Sequence, residues 1–175
     1  MRWFFMFNKW IIVVIFCIFI PVVNAGAAGA KPDNAHLPIT VLFAGNQCTQ
    51  DSPGIKQLSN KTQVDAFLRQ NTHLLSNAPK ESLTPIDFSK DVIVAIWMGA
   101  KPTAGYGLYL ERASAEVEQD TAVVQVNFKA PDANAMVAQV ITRPCLLIKI
   151  PKGSYRNIAV VSQKNKNVAT LSLKE

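Results

Sequence analysis

The amino-acid sequence predicts a mainly β protein: an antiparallel sandwich or an open barrel, with one packed helix. Three observations support this class. Short segments rich in apolar and β-branched residues recur along the second half of the chain, and clusters of glycine, proline and asparagine separate them. Helical patterns do not alternate with these segments, which disfavours a parallel sheet with crossover helices. A single segment, residues 60–70, has helical spacing instead.

Composition is typical of a globular protein. The 175 residues, 49% hydrophobic and 17% charged, suffice for one ordinary domain plus a targeting segment. This balance argues against a disordered tail or a coiled coil. Three cysteines are too few for a disulfide-dense miniprotein. With two histidines and no Cys-x-x-Cys pair, we expect neither a metal site nor a cofactor.

Residues 1–25 have the three-part layout of a secretory signal peptide. Arg2 and Lys9 precede an apolar run over residues 10–23, and small residues follow, ending in Ala25. The run is shorter than the roughly 20 residues that a membrane span needs, so an uncleaved anchor is the less favoured alternative. We therefore expect cleavage after Ala25, export to the periplasm or the medium, and only transient contact with the membrane.

The charge of the chain does not indicate a nucleic-acid partner. The formal net charge is +6, and loss of residues 1–25, which carry two cations and no acid, would leave +4. Most basic residues are scattered, and the one cluster, Lys164 with Lys166, lacks interleaved aromatic residues.

Export would leave two cysteines, Cys48 and Cys145. In an oxidising compartment, such a pair most simply forms a disulfide. The alternative is a reactive cysteine that uses His36 or His73 as its base, although no cysteine-protease signature flanks either cysteine. Bulky residues precede Cys17, which argues against lipid attachment there.

Residues 26–36 are rich in glycine, alanine and proline, and we expect them to form a flexible leader. The remainder, residues 37–175, is predicted to form one domain. It begins with a short strand at residues 38–44, which a Gly-Asn pair closes. Residues 76–85 contain two prolines and are predicted to form a loop.

The helix predicted over residues 60–70 has a cap and an apolar face. Asn60 is a favourable N-cap residue. Val64, Phe67 and Leu68 follow at the spacing that places side chains on one helical face.

The remaining segments have strand patterns. Residues 91–98 are apolar on both faces, which predicts a central strand covered on each side. Residues 122–129 alternate, with Val124, Val126 and Phe128 directed inward. The other predicted strands are residues 106–110, 135–142, 145–150, 157–161 and 168–173.

One connection between predicted strands is unusual. Residues 99–106, Gly-Ala-Lys-Pro-Thr-Ala-Gly-Tyr, are longer than a hairpin requires. Lys101 precedes a proline and therefore favours extended geometry, and Gly105 can adopt a positive φ. The alternative is an ordinary turn with Tyr106 packed beneath it.

Several motifs together resemble the PrcB family, named for a subunit of a secreted bacterial protease complex. They are the Asp-Phe-Ser segment at residues 87–89, the apolar strand that follows, the loop at residues 99–106, and the Thr-Arg-Pro step at residues 142–144. The similarity covers residues 86–152. Ala104 replaces the first of the family's paired glycines. Either the loop needs only Gly105 to be special, or its function has weakened in this chain.

The resemblance implies an exported, non-catalytic accessory or assembly subunit of an envelope or secreted protease complex. Its partner would be a protein, with a secreted or envelope protease as one candidate. The residues expected to bind this partner lie in the loop and in the Arg-Pro step: Lys101, Pro102, Thr103, Ala104, Gly105, Tyr106, Arg143 and Pro144.

A weaker similarity points to an alternative function. Residues 101–106 and the Arg-Pro step at residues 143–144 look like variants of two loops that chagasin-type inhibitors of cysteine proteases carry on an immunoglobulin-like sandwich. This resemblance implies a protease inhibitor that acts through residues 99–106.

Catalysis has little support in the sequence. The chain lacks a Gly-x-Ser-x-Gly elbow, a phosphate-binding Gly-Lys-Ser/Thr loop and a His-Glu-x-x-His helix. Its acids are predicted to lie at strand ends and turns, where Asp87 would accept turn amides. We therefore expect no enzyme activity.

Overall fold

The structure is a computed structural model, and it describes residues 36–71, 85–164 and 166–174. These residues form ten strands and one helix. The strands are β1 (His36–Pro38), β2 (Thr40–Gly45), β3 (Pro53–Leu58), β4 (Asp91–Met98), β5 (Gly107–Leu110), β6 (Ser114–Glu118), β7 (Thr121–Lys129), β8 (Cys145–Pro151), β9 (Asn157–Ser162) and β10 (Asn167–Ser172). Helix α1 (Lys61–Asn71) lies between β3 and β4 in the chain.

The strands form two sheets, which confirms the sandwich and not the open barrel. A four-stranded sheet has the order β2-β8-β4-β3. A six-stranded sheet has the order β1-β6-β7-β9-β10, and β5 also pairs with β7. The prediction that the sandwich is antiparallel throughout is wrong at one place, because β7 and β9 are parallel. Between them the chain crosses to the other sheet to form β8, and such a crossover returns the chain in its original direction.

The main core fills the space between the two sheets. Strand β4 contributes Val92, Val94 and Ile96, whose side chains lie on the same face. The other members of this core include Leu146, Ile148 and Ile150 of β8, Val124 and Val126 of β7, and Ile158 and Val160 of β9.

A second core lies on the other face of the four-stranded sheet, beneath α1. The alternate residues Ile93 and Ala95 of β4 and Leu147 of β8 face the helix, which contributes Val64 and Phe67. The prediction that residues 91–98 form a strand covered on both sides is therefore confirmed.

The cap predicted for the helix is present. The Oδ1 atom of Asn60 accepts a hydrogen bond from the backbone N–H of Gln63 at 3.0 Å. In return, the Gln63 side chain accepts one from the backbone N–H of Ser59 at 2.8 Å. At the other end, the buried Asn71 side chain donates to Phe67 O and accepts from the backbone N–H of Thr49. These bonds fix the helix against the loop before β3.

Three strands lie where the sequence analysis predicted none. Strand β1 begins at His36, which had been assigned to the leader. Strand β3 begins at Pro53 and lies at the edge of its sheet, where a proline is tolerated because one side needs no donor. In β6, Glu116 lies in the middle of a strand, so the prediction of a strand end or a turn is wrong for this acid, whereas Glu118 is the last residue of the strand, as predicted.

The strand predicted over residues 135–142 is absent. Apart from one isolated bridge at Thr142, these residues have no strand pairing. Met136, Val140 and Ile141 are exposed. Their apolar side chains caused the wrong prediction, because the backbone hydrogen bonds of Ala138 and Thr142 go to the loop at residues 101–104.

Several predictions fall outside the described residues: the signal peptide at 1–25, the leader before residue 36, the loop before residue 85, and His73. Within the described ranges, no helix has both the length and the apolar character needed to cross a membrane.

Tyr155 is a buried ionisable group in the main core, only 6% exposed. Its hydroxyl donates a hydrogen bond to Pro151 O at 2.8 Å. Burial, assisted by the negative charge of Asp91, raises the pKa of Tyr155 from 10.0 to about 12. The folded state therefore holds the phenol proton more tightly than the unfolded chain does.

This shift predicts a loss of stability in alkali. The contribution is fully present below pH 10, where the unfolded phenol is still protonated, and is lost as the pH rises to about 12. Its full size is about 2–3 kcal/mol in the free energy of unfolding. Urea unfolding across this pH range should show a shallower alkaline decline for Tyr155→Phe than for the wild type. Equal declines would contradict the assignment.

Candidate functional site

Three connections meet at one end of the four-stranded sheet. The pairing register places the end of β2 opposite the start of β8, through Gly45 and Cys145, and the end of β4 on the other side of β8, through Trp97. The start of β3 lies next to the end of β4. The connections at residues 46–52, 99–106 and 130–144 therefore leave the sheet together. We call these three connections the loop cluster.

The predicted loop at residues 99–106 is hydrogen-bonded to the segment that precedes β8. Lys101 and Thr142 exchange two backbone hydrogen bonds, of 2.8 and 3.0 Å. The backbone N–H of Ala104 donates to Ala138 O at 2.9 Å, and the Thr142 hydroxyl donates to Thr103 O at 2.9 Å. The structure thus brings the two segments selected from the sequence side by side.

The connection at residues 46–52 is a third member of the cluster, which the sequence analysis did not identify. The backbone N–H of Ala100 donates to Asp51 O at 2.8 Å. The Nε atom of Arg143 donates to Asp51 Oδ1 at 2.6 Å, and its backbone N–H donates to Asn46 O. Asp51 therefore contacts both predicted segments, through its backbone and its carboxylate.

The predicted disulfide between Cys48 and Cys145 is present and buried. It joins the connection at residues 46–52 to the first residue of β8. The backbone N–H of Cys48 also donates to Arg143 O at 2.9 Å. The cysteine spacing was the one sequence signal that related residues 46–52 to the rest of the site.

Two glycines allow the turns at the ends of the loop. Gly99 has a φ of 74° and Gly105 a φ of 89°, values that side-chain-bearing residues rarely adopt. Ala104 is not among the described residues with positive φ, so its methyl group does not strain the loop. Of the two alternatives left open by the sequence, the geometry supports the one in which Gly105 alone of this pair is special.

The predicted partner-binding residues differ in their exposure. Pro102 and Gly105 are exposed. The half-buried ones are Lys101, Thr103, Ala104, Tyr106 and Arg143. Pro144 is fully buried. Its expected contact with a partner therefore needs correction, because a buried ring does not touch a docked protein.

Exposed apolar side chains lie on the segment that borders the loop. Met136 is fully exposed, and about half of the surface of Val140 and of Ile141 is accessible. This segment is hydrogen-bonded to residues 101–104 through Ala138 and Thr142, so its exposed apolar side chains follow the loop closely in space. The sequence analysis missed them because it assigned these residues to a strand.

The site offers backbone and apolar groups rather than clustered acids or metal ligands. In the described part of the chain, no three histidine, cysteine or acidic side chains are grouped closely enough to hold a metal ion. Asp87 accepts hydrogen bonds from the hydroxyl and backbone N–H of Ser89, as expected for a turn residue. These bonds, with help from Lys90, lower the pKa of Asp87.

The loop, the strands on either side of it and the Arg143 step lie within one recognisable segment. Residues 92–151 match the family model described as PrcB C-terminal. The predicted resemblance to the PrcB C-terminal family is therefore confirmed over this segment, which runs from the second residue of β4 to the last residue of β8. No curated protein and no solved structure matches the chain. The similarity to chagasin-type inhibitors stays a prediction.

We predict that the loop geometry depends on Gly105. An alanine there would hold a strained φ, and its Cβ would lie 2.9 Å from the Cβ of Pro131. Urea unfolding of Gly105→Ala should show a loss of about 1–3 kcal/mol. Gly54→Ala is the matched control, because no atom lies within 4 Å of its added Cβ. A Gly105→Ala protein as stable as the control would refute the prediction.

The disulfide should also contribute strongly to stability. It joins residues 97 positions apart, so it restricts the unfolded chain considerably. The double variant Cys48→Ala/Cys145→Ala should lose about 2–5 kcal/mol in the free energy of unfolding. A reductant should destabilise the wild type and leave the double variant unchanged. Equal sensitivity of the two proteins would show that the effect does not come from this bond.

Proposed function

We propose that this chain is an exported, non-catalytic accessory or assembly subunit that binds a protein partner of an envelope or secreted protease complex through the loop cluster. One observation carries the proposal: residues 99–106 lie inside the segment that matches the PrcB C-terminal family, and they present Pro102 to solvent from a hydrogen-bonded frame. A protease-associated role follows from the family, and the loop cluster is the surface that we assign to it.

The physical argument for binding is preorganisation. A loop held by Lys101, Ala104 and Thr142 through backbone hydrogen bonds loses little conformational entropy when it docks. The exposed side chains of Met136 and Ile141 provide apolar area beside it, which is the kind of surface that protein partners cover.

Arg143 adds a directed charge to this surface. Its guanidinium is held by the Asp51 carboxylate and is only partly exposed. An arginine fixed in this way can donate its remaining N–H groups to a partner without first being ordered.

Export is supported by two independent features. Residues 1–25 have the layout of a secretory signal. The Cys48–Cys145 disulfide is the kind of bond that persists in oxidising compartments and is rare in the cytosol.

The alternative function is a protease inhibitor. The proximity of residues 99–106 and Arg143 supports it, because the two loops in question are those that resemble chagasin-type inhibitors. The two proposals differ in their effect on a purified protease. An assembly subunit leaves a papain-like active site open, and an inhibitor blocks it.

The loop cluster should determine capture of the partner. We predict that Pro102→Glu abolishes co-purification of the protein that the wild type captures from its producing cells. The new charge would enter the interface, and the Pro102 side chain makes no hydrogen bond in the fold that its loss would break. Val168→Glu, an exposed apolar-to-acid change on β10, is the matched control and should capture as the wild type does. Undiminished capture by Pro102→Glu would sink the assignment.

Protease assays should separate the two functions. We expect the purified protein to leave a panel of papain-like proteases fully active at a large molar excess. Tight inhibition that Pro102→Glu removes would contradict the assembly role and establish the inhibitor. Measured residual activity against a peptide substrate is the readout.

A further inference from the structure

A groove of about 510 Å³ lies between β3 and α1, and the proposed function does not use it. Gly54 and Lys56 of β3, Trp97 of β4, and Phe67 and Gln70 of α1 line it. Aromatic rings form its base, and amide side chains stand along the helix. A concave apolar surface with a few polar groups is typical of a binding site.

Strand β3 gives the groove an unpaired edge. It is the last strand of its sheet and pairs only with β4. Within the described residues, no backbone hydrogen bond reaches its other edge, and the sole hydrogen-bonded contact with the chain terminus is made by the Gln57 side chain with Lys174. An unpaired edge beside a helix accepts an extended peptide as an added strand.

Gly54 leaves space above the tryptophan. The two residues are directly paired across β3 and β4, so a side chain at position 54 would point to the face that Trp97 occupies. No atom lies within 4 Å of the position that a Cβ of Gly54 would take. The opening has room for a side chain from another molecule.

The indole of Trp97 indicates that this other molecule carries a hydrogen-bond acceptor. Its Nε1 atom is buried and has no hydrogen-bond partner. Buried donors are nearly always paired, and an unpaired one is costly. Solvent does not reach this atom, so an acceptor oxygen in the groove pairs with it only when the indole turns toward the groove as the ligand docks.

The charge of the residues that line the groove indicates which ligands it favours. Lys56 is the single charged side chain among the lining residues, and no acid is among them. The groove therefore favours an acidic segment over a basic one.

We infer that this groove binds an extended, acidic peptide segment of a partner protein. The segment pairs with the free edge of β3, inserts one apolar side chain above Gly54, and offers an oxygen acceptor to Trp97 Nε1. An acidic side chain of the peptide lies near Lys56. Gln50 and Ser52 of the loop cluster also line this groove, but the contacts inferred for the peptide are made by β3 and Trp97. The Gly54→Leu variant therefore tests this inference, and Pro102→Glu tests the proposed function, separately.

The test begins with a displayed library of short, linear, random peptides, selected on protein purified from cells that express the full chain. Enriched peptides are synthesised, and their binding is measured by fluorescence anisotropy. We expect enrichment of an apolar residue flanked by acids. The Cβ of Gly54→Leu would have no atom within 4 Å, and its side chain would occupy the opening, so this variant should weaken binding by about tenfold or more. Trp97→Phe keeps a ring and removes the donor, and it should weaken binding by about fivefold.

Two further measurements keep the test decisive. Lys56→Glu, an exposed change that leaves the groove open, should shift the preference toward basic peptides. In nuclear magnetic resonance spectra, the indole N–H signal that Trp97→Phe lacks should move when the peptide binds. Val168→Leu, on an exposed position of β10, is the control and should bind as the wild type does.

Three results would overturn the inference. The first is no enrichment, and the second is an enriched peptide that binds Gly54→Leu as tightly as the wild type. The third is a concentration-dependent dimer that Gly54→Leu dissolves, which would show that a second copy of this chain occupies the groove.

Discussion

The Cys48–Cys145 bond lies at the point where the fold and the candidate site meet. Cys145 is the first residue of β8, the strand that pairs with both β2 and β4. Cys48 belongs to the connection that leaves β2. The bond therefore fixes where this connection turns relative to the sheet, and with it the position of Asp51. Asp51 in turn contacts the loop at residues 99–106 and holds Arg143. Without this covalent constraint, the loop cluster would be held only by non-covalent contacts, among them the hydrogen bonds of Asp51 and Thr142.

Burial on both faces explains why these strands hold their positions. The four-stranded sheet packs against the six-stranded sheet on one side and against α1 on the other, so a shift of β4 or β8 by one residue would exchange its two buried sets of side chains. The loop at residues 99–106 extends from the end of a strand that cannot slide. Its position is therefore set by the core as well as by its own proline and backbone hydrogen bonds.

The sequence predicted those features that local chemistry determines. The double-faced apolar pattern of β4, the Asn60 cap and the positive φ of Gly105 all depend on neighbouring residues. By contrast, β3 is defined by a partner about 40 residues later in the chain, and its Pro-Gly start and polar side chains suit an edge, not a core. The strand predicted at residues 135–142 was wrong for the opposite reason. The apolar side chains of this segment suggested burial, but the segment lies against a loop and these side chains are exposed.

The same distinction applies to the sites. The loop at residues 99–106 was found because its composition is unusual and its family pattern is recognisable. Asp51 and the groove above Gly54 were missed, since each depends on contacts between segments far apart in the sequence. Trp97 lies in a strand whose pattern predicts burial, and the absence of a side chain at Gly54, its partner on β3, leaves open space beside it. Pairing between distant strands therefore creates features that spacing along the chain does not reveal.

The central claim is that residues 99–106 form a rigid, exposed handle for a protein partner. Amide hydrogen exchange, measured on the free protein and on its complex with the captured partner, tests it most directly. In the free protein, the backbone amides of Lys101, Ala104 and Thr142 should already be protected, and the partner should slow exchange further over residues 99–106. Exchange as fast as in an unstructured peptide, or no change when the partner binds, would contradict the account.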